Sequence, residues 1–206
     1  MKTSSAPLLL CLFLILASCK KEEAPEPLVE QTIPLQTNNL WVYEVTDYDS
    51  NGNIVATSES RTMVLRDTLI NKSKWYILNN RSIVQNNSNG YAYFNKNNKP
   101  ADQAVMIYPN ANHGGIGYSY QYPNYLLWVL TSCDYQIKQI PDALEPLTGY
   151  TYVIKKEYSQ QGSTKPFTFK QKDYVSPKVG LVRSDRFFVD SDVLMRRYEL
   201  VSYTLK

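Results

Sequence analysis

The residues best suited to ligand chemistry are the aromatics of one short stretch. Tyr118, Tyr120, Tyr122, Tyr125 and Trp128 form the densest aromatic group in a chain of 206 residues with 17 tyrosines. Tyrosine offers a flat apolar face and a hydroxyl, which suits stacking on a sugar or contacts with a peptide. The alternation at 118, 120 and 122 is also typical of a strand face that packs on a core. The stretch therefore predicts either a surface for a saccharide, peptide or protein ligand, or a core face.

A second candidate is the series Asp47, Asp49, Asn51 and Gly52, which matches the first half of a calcium-binding loop. The twelfth position of such a loop requires a bidentate glutamate, and Ser58 occupies it. An Asn-Gly pair between two alternating runs favours a hairpin, because both central positions of a tight hairpin turn adopt positive φ. The series therefore predicts a turn, and we expect no metal or other cofactor.

Enzymatic chemistry has little support in the residue types. His113-Gly114-Gly115 would suit an oxyanion hole, but no Gly-x-Ser-x-Gly nucleophile motif occurs and His113 is the single histidine. Asp185, Asp190 and Asp192 could serve a glycosidase only if two of them faced each other across a cleft. Acidic residues before a turn are usually solvated. We therefore predict no catalytic residue.

The cysteines and the charge exclude two further classes of protein. Cys11, Cys19 and Cys133 are the three cysteines, and only Cys133 lies in the body of the chain, so we predict one thiol and no disulfide there. Cys133 is predicted to be a small buried residue, since a reactive thiol needs a base. The net charge is only +3, and its lysines and arginines are scattered. We expect no nucleic-acid partner.

The first 19 positions carry a basic residue, an apolar run at 8–16 and small residues before a cysteine. This pattern predicts a secretory signal, because the apolar run is too short to span a bilayer. The order Leu16-Ala17-Ser18-Cys19 resembles bacterial lipoprotein signals. That resemblance implies removal of residues 1–18 and acylation of Cys19, with palmitate among its chains. Two or three acyl chains would hold the protein on a membrane, since one chain binds only marginally.

The rest of the chain is predicted to be a tether followed by one domain. Residues 19–37 are charged and contain Pro25, Pro27 and Pro34, a composition typical of a flexible tether. Residues 38–206 are long enough for a single domain with its own core.

Runs of strand length separated by turn residues predict strands throughout this domain, and none shows a sustained helical period. A loop is predicted at 140–147, with one helical turn at 142–145, and a crossover at 174–180. The predicted fold class is all-β: an antiparallel meander forming a curved half-barrel or sandwich. The predicted strands are 40–48, 54–69, 75–78, 91–94, 104–108, 126–130, 150–158, 167–170, 181–189 and 194–205.

Two parts of the domain carry a family resemblance. One is the strand Trp41-x-Tyr43 with the following Asn-Gly turn, and the other is Tyr-Val-Ser-Pro-Lys-Val-Gly-Leu-Val at 174–182 with Tyr-Glu-Leu at 198–200. Together with the signal, they resemble a broad set of exported Gram-negative lipoproteins. The resemblance implies an antiparallel half-barrel or sandwich without an assigned activity.

These observations lead to a hypothesis of function. The leading one is a lipid-anchored, non-enzymatic envelope protein whose β domain binds a ligand or partner through an aromatic concave face. A carrier or assembly factor for lipids or lipoproteins is the alternative, and a hydrolase ranks third. A deep, continuous apolar groove would favour the carrier, whereas a shallow face with Tyr and Asn at its rim would favour a sugar- or protein-binding module.

The residues after Cys19 bear on location. Lys20 stands where an aspartate would resemble an inner-membrane retention signal, so we expect the outer membrane. Lys21-Glu22-Glu23 is similar to the export tag of some surface lipoproteins, although a solvated charge run opening a linker would have the same composition. We therefore expect a lipid-anchored outer-membrane protein that faces either the cell exterior or the periplasm.

Overall fold

The structure is a computed structural model that describes residues 32–98, 103–110, 116–141, 143, 145–160 and 165–206. The predicted signal peptide and most of the predicted tether lie outside the described residues. Within these ranges there are twelve strands and no helix. The strands are β1 (Leu40–Tyr48), β2 (Ile54–Ile70), β3 (Ser73–Leu78), β4 (Ile83–Asn87), β5 (Gly90–Phe94), β6 (Ala104–Pro109), β7 (Ile116–Gln121), β8 (Tyr125–Gln139), β9 (Thr148–Gln160), β10 (Phe167–Ser176), β11 (Gly180–Phe187) and β12 (Leu194–Thr204).

All twelve strands belong to one antiparallel sheet. The strands β1 to β6 pair in sequence order, and so do β7 to β12, which makes two six-stranded meanders. Pairing of β1 with β12 joins them, with Leu40 opposite Thr204 and Asp47 opposite Arg196. The strands β6 and β7 are therefore the two edges. The predicted all-β antiparallel meander is confirmed.

The alternation of β1 shows how the sequence sets the inward face of this sheet. Trp41, Tyr43 and Val45 are all buried, because side chains two residues apart lie on the same face of a strand. Trp41 Nε1 donates a 2.6 Å hydrogen bond to the carbonyl of Val179, and Tyr43 Oη donates one of 3.0 Å to the carbonyl of Leu181. The polar atoms of these two aromatics are thus satisfied inside the core.

The edges β6 and β7 meet at a seam that side chains bridge. Tyr93 Oη on β5 lies 3.5 Å from Tyr120 Oη on β7. The Tyr108 ring on β6 packs against Tyr152 on β9, with 4.8 Å between ring centroids. Tyr152 Oη donates a 3.1 Å hydrogen bond to the carbonyl of Pro109. The sheet is therefore a nearly closed half-barrel, the first of the two predicted forms.

Residues 32–36 form a strap across one end of the half-barrel. Ile33 and Leu35 are buried, and Asn86 Nδ2 on β4 donates a 2.8 Å hydrogen bond to the carbonyl of Ile33. A Cβ on Gly180, at the start of β11, would lie 3.3 Å from Ile33 Cγ2. The strap thus reaches from one meander to the other and closes this end, although its residues fall within the stretch assigned to the tether.

The first hairpin is confirmed, but its turn differs from the predicted one. Of the Asn51-Gly52 pair only Gly52 has a positive φ, of 84°. Asp49 Oδ1 accepts a 2.8 Å hydrogen bond from the backbone N–H of Asn51, so an aspartate side chain orders this loop. Two consecutive positive φ values, 52° and 66°, occur instead at Asn71-Lys72, where β2 passes into β3 through a two-residue turn.

The second half of the chain confirms most of its predicted strands. The run at 126–130 is part of β8, as predicted, and Ile140 N donates a 2.8 Å hydrogen bond to Leu147 O across the predicted loop. The predicted helical turn includes residues 142 and 144, which lie outside the described residues. The predicted crossover at 174–180 is wrong, because Tyr174 pairs with Arg183 and the chain stays in the ladder through a tight turn at 177–179.

Candidate functional site

The inward face of the half-barrel encloses a cavity of about 1110 Å³. The strap residues Ile33 and Leu35, with Trp41, line its closed end. Residues of the loops after β3 and β5, at 80–82 and 95–97, form the rim of its open end together with the exposed Tyr122, and all of these loop residues except the half-buried Asn95 are exposed. The cavity therefore runs from the strap to the rim, and it is large enough for a drug-sized ligand.

Tyrosine is the most frequent lining residue of this cavity. Most of these side chains come from alternate positions of their strands, as the period-two pattern of a strand requires. Nine tyrosines line it: Tyr43, Tyr91, Tyr93, Tyr108, Tyr118, Tyr120, Tyr122, Tyr158 and Tyr198.

The structure brings four of the five predicted aromatic site residues together. The rings of Tyr118 and Tyr120 are 5.3 Å apart, and those of Tyr120 and Tyr122 are 6.5 Å apart. Tyr125 stacks on Tyr122 at 4.4 Å and contacts Tyr158 of β9 at 5.7 Å. These five tyrosines form a continuous aromatic ladder along the wall and rim of the cavity.

Trp128 does not join this ladder. In β8 the inward positions are Leu127 and Val129, which line the cavity, so Trp128 lies on the outer face, where 50% of its surface is exposed. Leu130 lies on the same outer face, 52% exposed. The structure thus separates Trp128 from the tyrosines with which the sequence grouped it.

Burial favours the neutral form of two tyrosine hydroxyls of the cavity wall, those of Tyr118 and Tyr93. Burial raises the pKa of Tyr118 well above its ordinary value, and the neighbouring Tyr120 raises it further. Burial likewise raises the pKa of Tyr93, and the hydrogen bond with Tyr120 raises it further. These two phenols therefore keep their protons at neutral pH, and each can both donate and accept a hydrogen bond.

A polar row crosses the cavity wall on three neighbouring strands, at Lys156 of β9, Gln171 of β10 and Arg186 of β11. Gln171 lies directly opposite Arg186, whereas Lys156 lies opposite Phe169, one inward position away from Gln171. Burial lowers the pKa of Lys156, and the charge of Arg186 lowers it further, while Asp173 raises it in part. The Arg186 guanidinium lies 4.8 Å from the ring centroid of Tyr198.

Asp173 lies on the same face of β10 as Gln171 and is fully buried beside the cavity. Tyr108 Oη donates a 2.9 Å hydrogen bond to its carboxyl group, and Gln171 Nε2 donates to both carboxyl oxygens at 2.8 and 2.9 Å. Burial raises the pKa of Asp173, while the side chains of Ser184, Tyr108 and Gln171 and, least, the charge of Arg186 oppose that rise. The hydrogen bonds that this carboxyl group accepts from Tyr108 and Gln171 therefore come from side chains without charge.

The carboxylates considered for glycosidase chemistry have structural partners. Two arginines bind Asp185, at 2.8 Å each. Asp190 Oδ1 accepts a 3.0 Å hydrogen bond from Thr168 N, and Asp192 pairs with Lys170 at 2.6 Å. None of these three acids is among the described residues that line the cavity.

Cys133, predicted to be buried, is only half-buried at the edge of the core, and the acids of the predicted calcium series make other contacts. Burial raises the pKa of the Cys133 thiol to about 11, so it stays protonated at neutral pH and is a poor nucleophile. Asp47 pairs with Arg196, and Asp49 orders its own loop. Among the described residues, no three histidine, cysteine or acidic side chains are grouped to hold a metal ion.

Two predictions fall on other parts of the chain. Cys19, the predicted site of acylation, and His113 with its two glycines lie outside the described residues. Over the residues that the structure does describe, no helix has the length and apolarity of a membrane span.

Sequence reasoning missed the polar row and the Tyr158 side of the ladder. Lys156, Gln171 and Arg186 are each an ordinary polar residue in a strand, and the long β9 carries Lys155 on its opposite face. Only the register between β9, β10 and β11 brings the row together. The alternation within each strand could have predicted that these residues lie on the inward face. It could not have predicted that their three strands are neighbours in the sheet.

Comparison with known proteins finds similar solved structures but no matching family. No family model matches the chain, and no curated protein matches it. A solved candidate lipoprotein from Parabacteroides distasonis is similar, with 13% identity and a TM-score of 0.47 over 84% of this chain and 98% of the other. A candidate exported protein with a YmcC-like fold from Bacteroides fragilis has 10% identity and a TM-score of 0.49 over the same shares.

Proposed function

We propose that this is a lipid-anchored, exported, non-enzymatic protein whose β domain binds a small ligand in the tyrosine-lined cavity. One observation carries the proposal: a cavity of about 1110 Å³ lined by nine tyrosines. Their rings offer apolar faces for stacking, and their hydroxyls can fix the orientation of a ligand. A cavity that is closed at one end suits a small molecule or a short saccharide or peptide better than a flat protein surface.

The anchor and the location are supported by the sequence. A short apolar run followed by Leu16-Ala17-Ser18-Cys19 supports export and acylation of Cys19. Lys20 favours the outer membrane, and Lys21-Glu22-Glu23 favours its external face over the periplasmic one.

A carrier of lipids or lipoproteins is the second candidate. The depth of the cavity favours it, since a carrier must shield an acyl chain from water. The polar row and the tyrosine hydroxyls count against it, because they interrupt any continuous apolar groove. A binding module for a ligand with both polar and apolar parts fits this lining better.

Filling the cavity tests the proposal. The chain from Lys20 to Lys206 retains all twelve strands and the whole described core, so it can be used without the lipid. We expect the neutral dye N-phenyl-1-naphthylamine to bind it saturably, and Leu127→Trp to weaken binding by about tenfold or more, because the added ring occupies the cavity. Fluorescence titration measures both.

Leu130→Trp is the matched control, since it adds a ring to the outer face of the same strand. It should leave the dye affinity unchanged. Equal losses in the two variants, or no saturable binding to the unaltered chain, would refute a ligand site in the cavity.

A further inference from the structure

We infer that the ligand of this cavity is an organic anion whose carboxylate or phosphate group binds Lys156 and Arg186 and whose aromatic or aliphatic body lies along the tyrosines. The inference rests on the proposed function, to which it adds the chemical class of the ligand. Four features of the cavity support it: the sign of its charges, the absence of an ion pair for two cations, the partial burial of one of them, and the position of the apolar wall.

The charges of the lining have one sign. Among the described residues that line the cavity there is no aspartate or glutamate, whereas four are cations. Arg81 and Lys96 are exposed at the rim, whereas Arg186, also exposed, and the half-buried Lys156 lie on the wall. An anion that approaches the open end therefore meets positive charge from the rim to the interior, which accelerates its capture.

The two wall cations have no carboxylate of their own. Neither Lys156 nor Arg186 forms an ion pair with any described residue, whereas Arg196, the neighbour of Arg186 on β12, pairs with Asp47. The nearest buried acid, Asp173, is already held by Tyr108 and Gln171. The row therefore carries two positive charges against one carboxyl group that is committed elsewhere.

Burial makes this excess charge costly in the empty cavity. Lys156 is half-buried, and its lowered pKa has burial as its first cause and the charge of Arg186 as its second. A charge in such surroundings gains a counter-ion more strongly than an exposed one, because the attraction is less screened. A bound anion would neutralise the row, and the planar Arg186 fork suits the two oxygens of a carboxylate or phosphate.

The apolar part of the wall lies beside the row. Val129 of β8 is directly opposite Lys156, and Leu127 is opposite Tyr158 in the same ladder. Ile154 lies opposite Gln171. A ligand whose acidic group binds the row thus places its body against Val129, Leu127 and the tyrosines, so the site selects a charged head and an apolar body together.

Two related dyes test this class of ligand on the chain from Lys20 to Lys206. 8-Anilinonaphthalene-1-sulfonate and N-phenyl-1-naphthylamine share the same ring system. Only the first dye has an acidic group, a sulfonate. Lys156→Met should lower the affinity for the sulfonate dye about tenfold, as expected for a lost charged hydrogen bond. Arg186→Met should lower this affinity somewhat less, because Arg186 is more exposed. Neither should change the affinity of the neutral dye more than twofold.

Lys155→Met removes the same charge from the outer face of the same strand and should leave both dyes unaffected. A second measurement needs no variant. A higher salt concentration should lower the affinity for the sulfonate dye and leave the affinity for the neutral dye unchanged. Decanoate and decyl phosphate should displace the sulfonate dye, and decanol should not. The stronger of the two anions identifies the preferred acidic group.

The outcomes separate the two proposals. One outcome would overturn the inference that the ligand is an anion and leave the cavity site in place. In that outcome Leu127→Trp weakens binding of the neutral dye, but Lys156→Met does not weaken binding of the sulfonate dye. Displacement by decanol as strong as by decanoate would do the same. Failure of both dyes to bind in the cavity would overturn the proposed function itself.

Discussion

Asp173 and Asp185 are both buried, but they are held in different ways. Asp185 lies between two arginines, so its charge is neutralised where it stands. Asp173 has a phenol and an amide as partners, with Lys156 and Arg186 farther away. Burying a carboxylate without a close cation costs stability, because the hydrogen bonds replace only part of its lost hydration. This cost should be visible as a pH dependence.

We predict that Asp173→Asn gains stability relative to the unaltered protein as pH rises. The folded pKa of Asp173 lies above its ordinary value of 3.8, so the native state holds this proton more tightly than the unfolded chain. Its contribution is complete below pH 3.8 and is lost as pH rises through the folded pKa. Urea unfolding across this range should show the difference in unfolding free energy moving in favour of the variant.

Asp192→Asn provides a control of opposite sign. Its hydrogen bond with Lys170 lowers the pKa of Asp192, so the contribution of that group is present above pH 3.8 and is lost as pH falls. The variant should therefore lose stability relative to the unaltered protein as pH rises. Parallel curves for the two variants would contradict the assignment of Asp173.

The candidate site could be predicted from the sequence only where its residues are neighbours in the chain. Tyr118, Tyr120 and Tyr122 stand at alternate positions of one strand, so a single strand periodicity places them together. Lys156 and Arg186 are thirty positions apart in the sequence. Their proximity depends on two strand registers, and a shift of one residue in either would turn a side chain to the outer face.

Turns show a similar limit. The Asn-Gly pair at 51–52 predicted the hairpin correctly but not its geometry, because the Asp49 side chain orders a longer loop. At Asn71-Lys72 the paired strands impose positive φ on two residues, neither of which is glycine. The strand β4 had no separate prediction, since its Ile83-Val84 pair is followed by polar residues only. Tertiary pairing, more than local preference, decides such short elements.

We predict that Gly90→Ala destabilises the protein by about 3 kcal/mol or more, because steric clash adds to backbone strain. Gly90 has a φ of 135°, and a Cβ there would lie 2.1 Å from the carbonyl oxygen of Tyr108. The clash is with the backbone of β6, which cannot retreat without breaking the ladder. Urea or thermal unfolding measures the loss.

Gly52→Ala serves as the comparison, since Gly52 also has a positive φ but no atom within 4 Å of the added Cβ. It should cost only about 1 kcal/mol, the strain of a left-handed residue. Equal losses at the two sites would mean that the close approach of β5 and β6 adds nothing to the requirement for glycine.

The two meanders are joined by the first and last strands of the sheet. Each meander follows from consecutive hairpins, which short turns encode, and was predictable for that reason. The β1–β12 pairing connects residues more than 140 positions apart, as Asp47 and Arg196 show with their ion pair. Nothing local in either strand specifies this partner, so the curvature and the cavity could not be derived from the sequence in detail.

The anchor can be checked on intact cells. We predict that Cys19→Ala abolishes incorporation of labelled palmitate into the protein, because Cys19 is the proposed acylated residue. Cys11→Ala and Cys133→Ala should keep the label, since neither cysteine follows the small-residue pair. Label retained in Cys19→Ala would place the acyl chain elsewhere and remove the support for this anchor.

The strap has a directional consequence for such an anchored protein. The chain enters the domain at the closed end, and the wall of the cavity extends from there along the strands to Tyr122 at the open end. The nine residues of β1 span about 30 Å, whereas the twelve residues 20–31 reach at most about 43 Å when fully extended. Turning the opening toward the bilayer would therefore use most of that reach, and the accompanying loss of chain entropy opposes it. If the protein is anchored through Cys19 as proposed, we therefore expect the opening to face away from the lipid and the ligand to enter from the aqueous side.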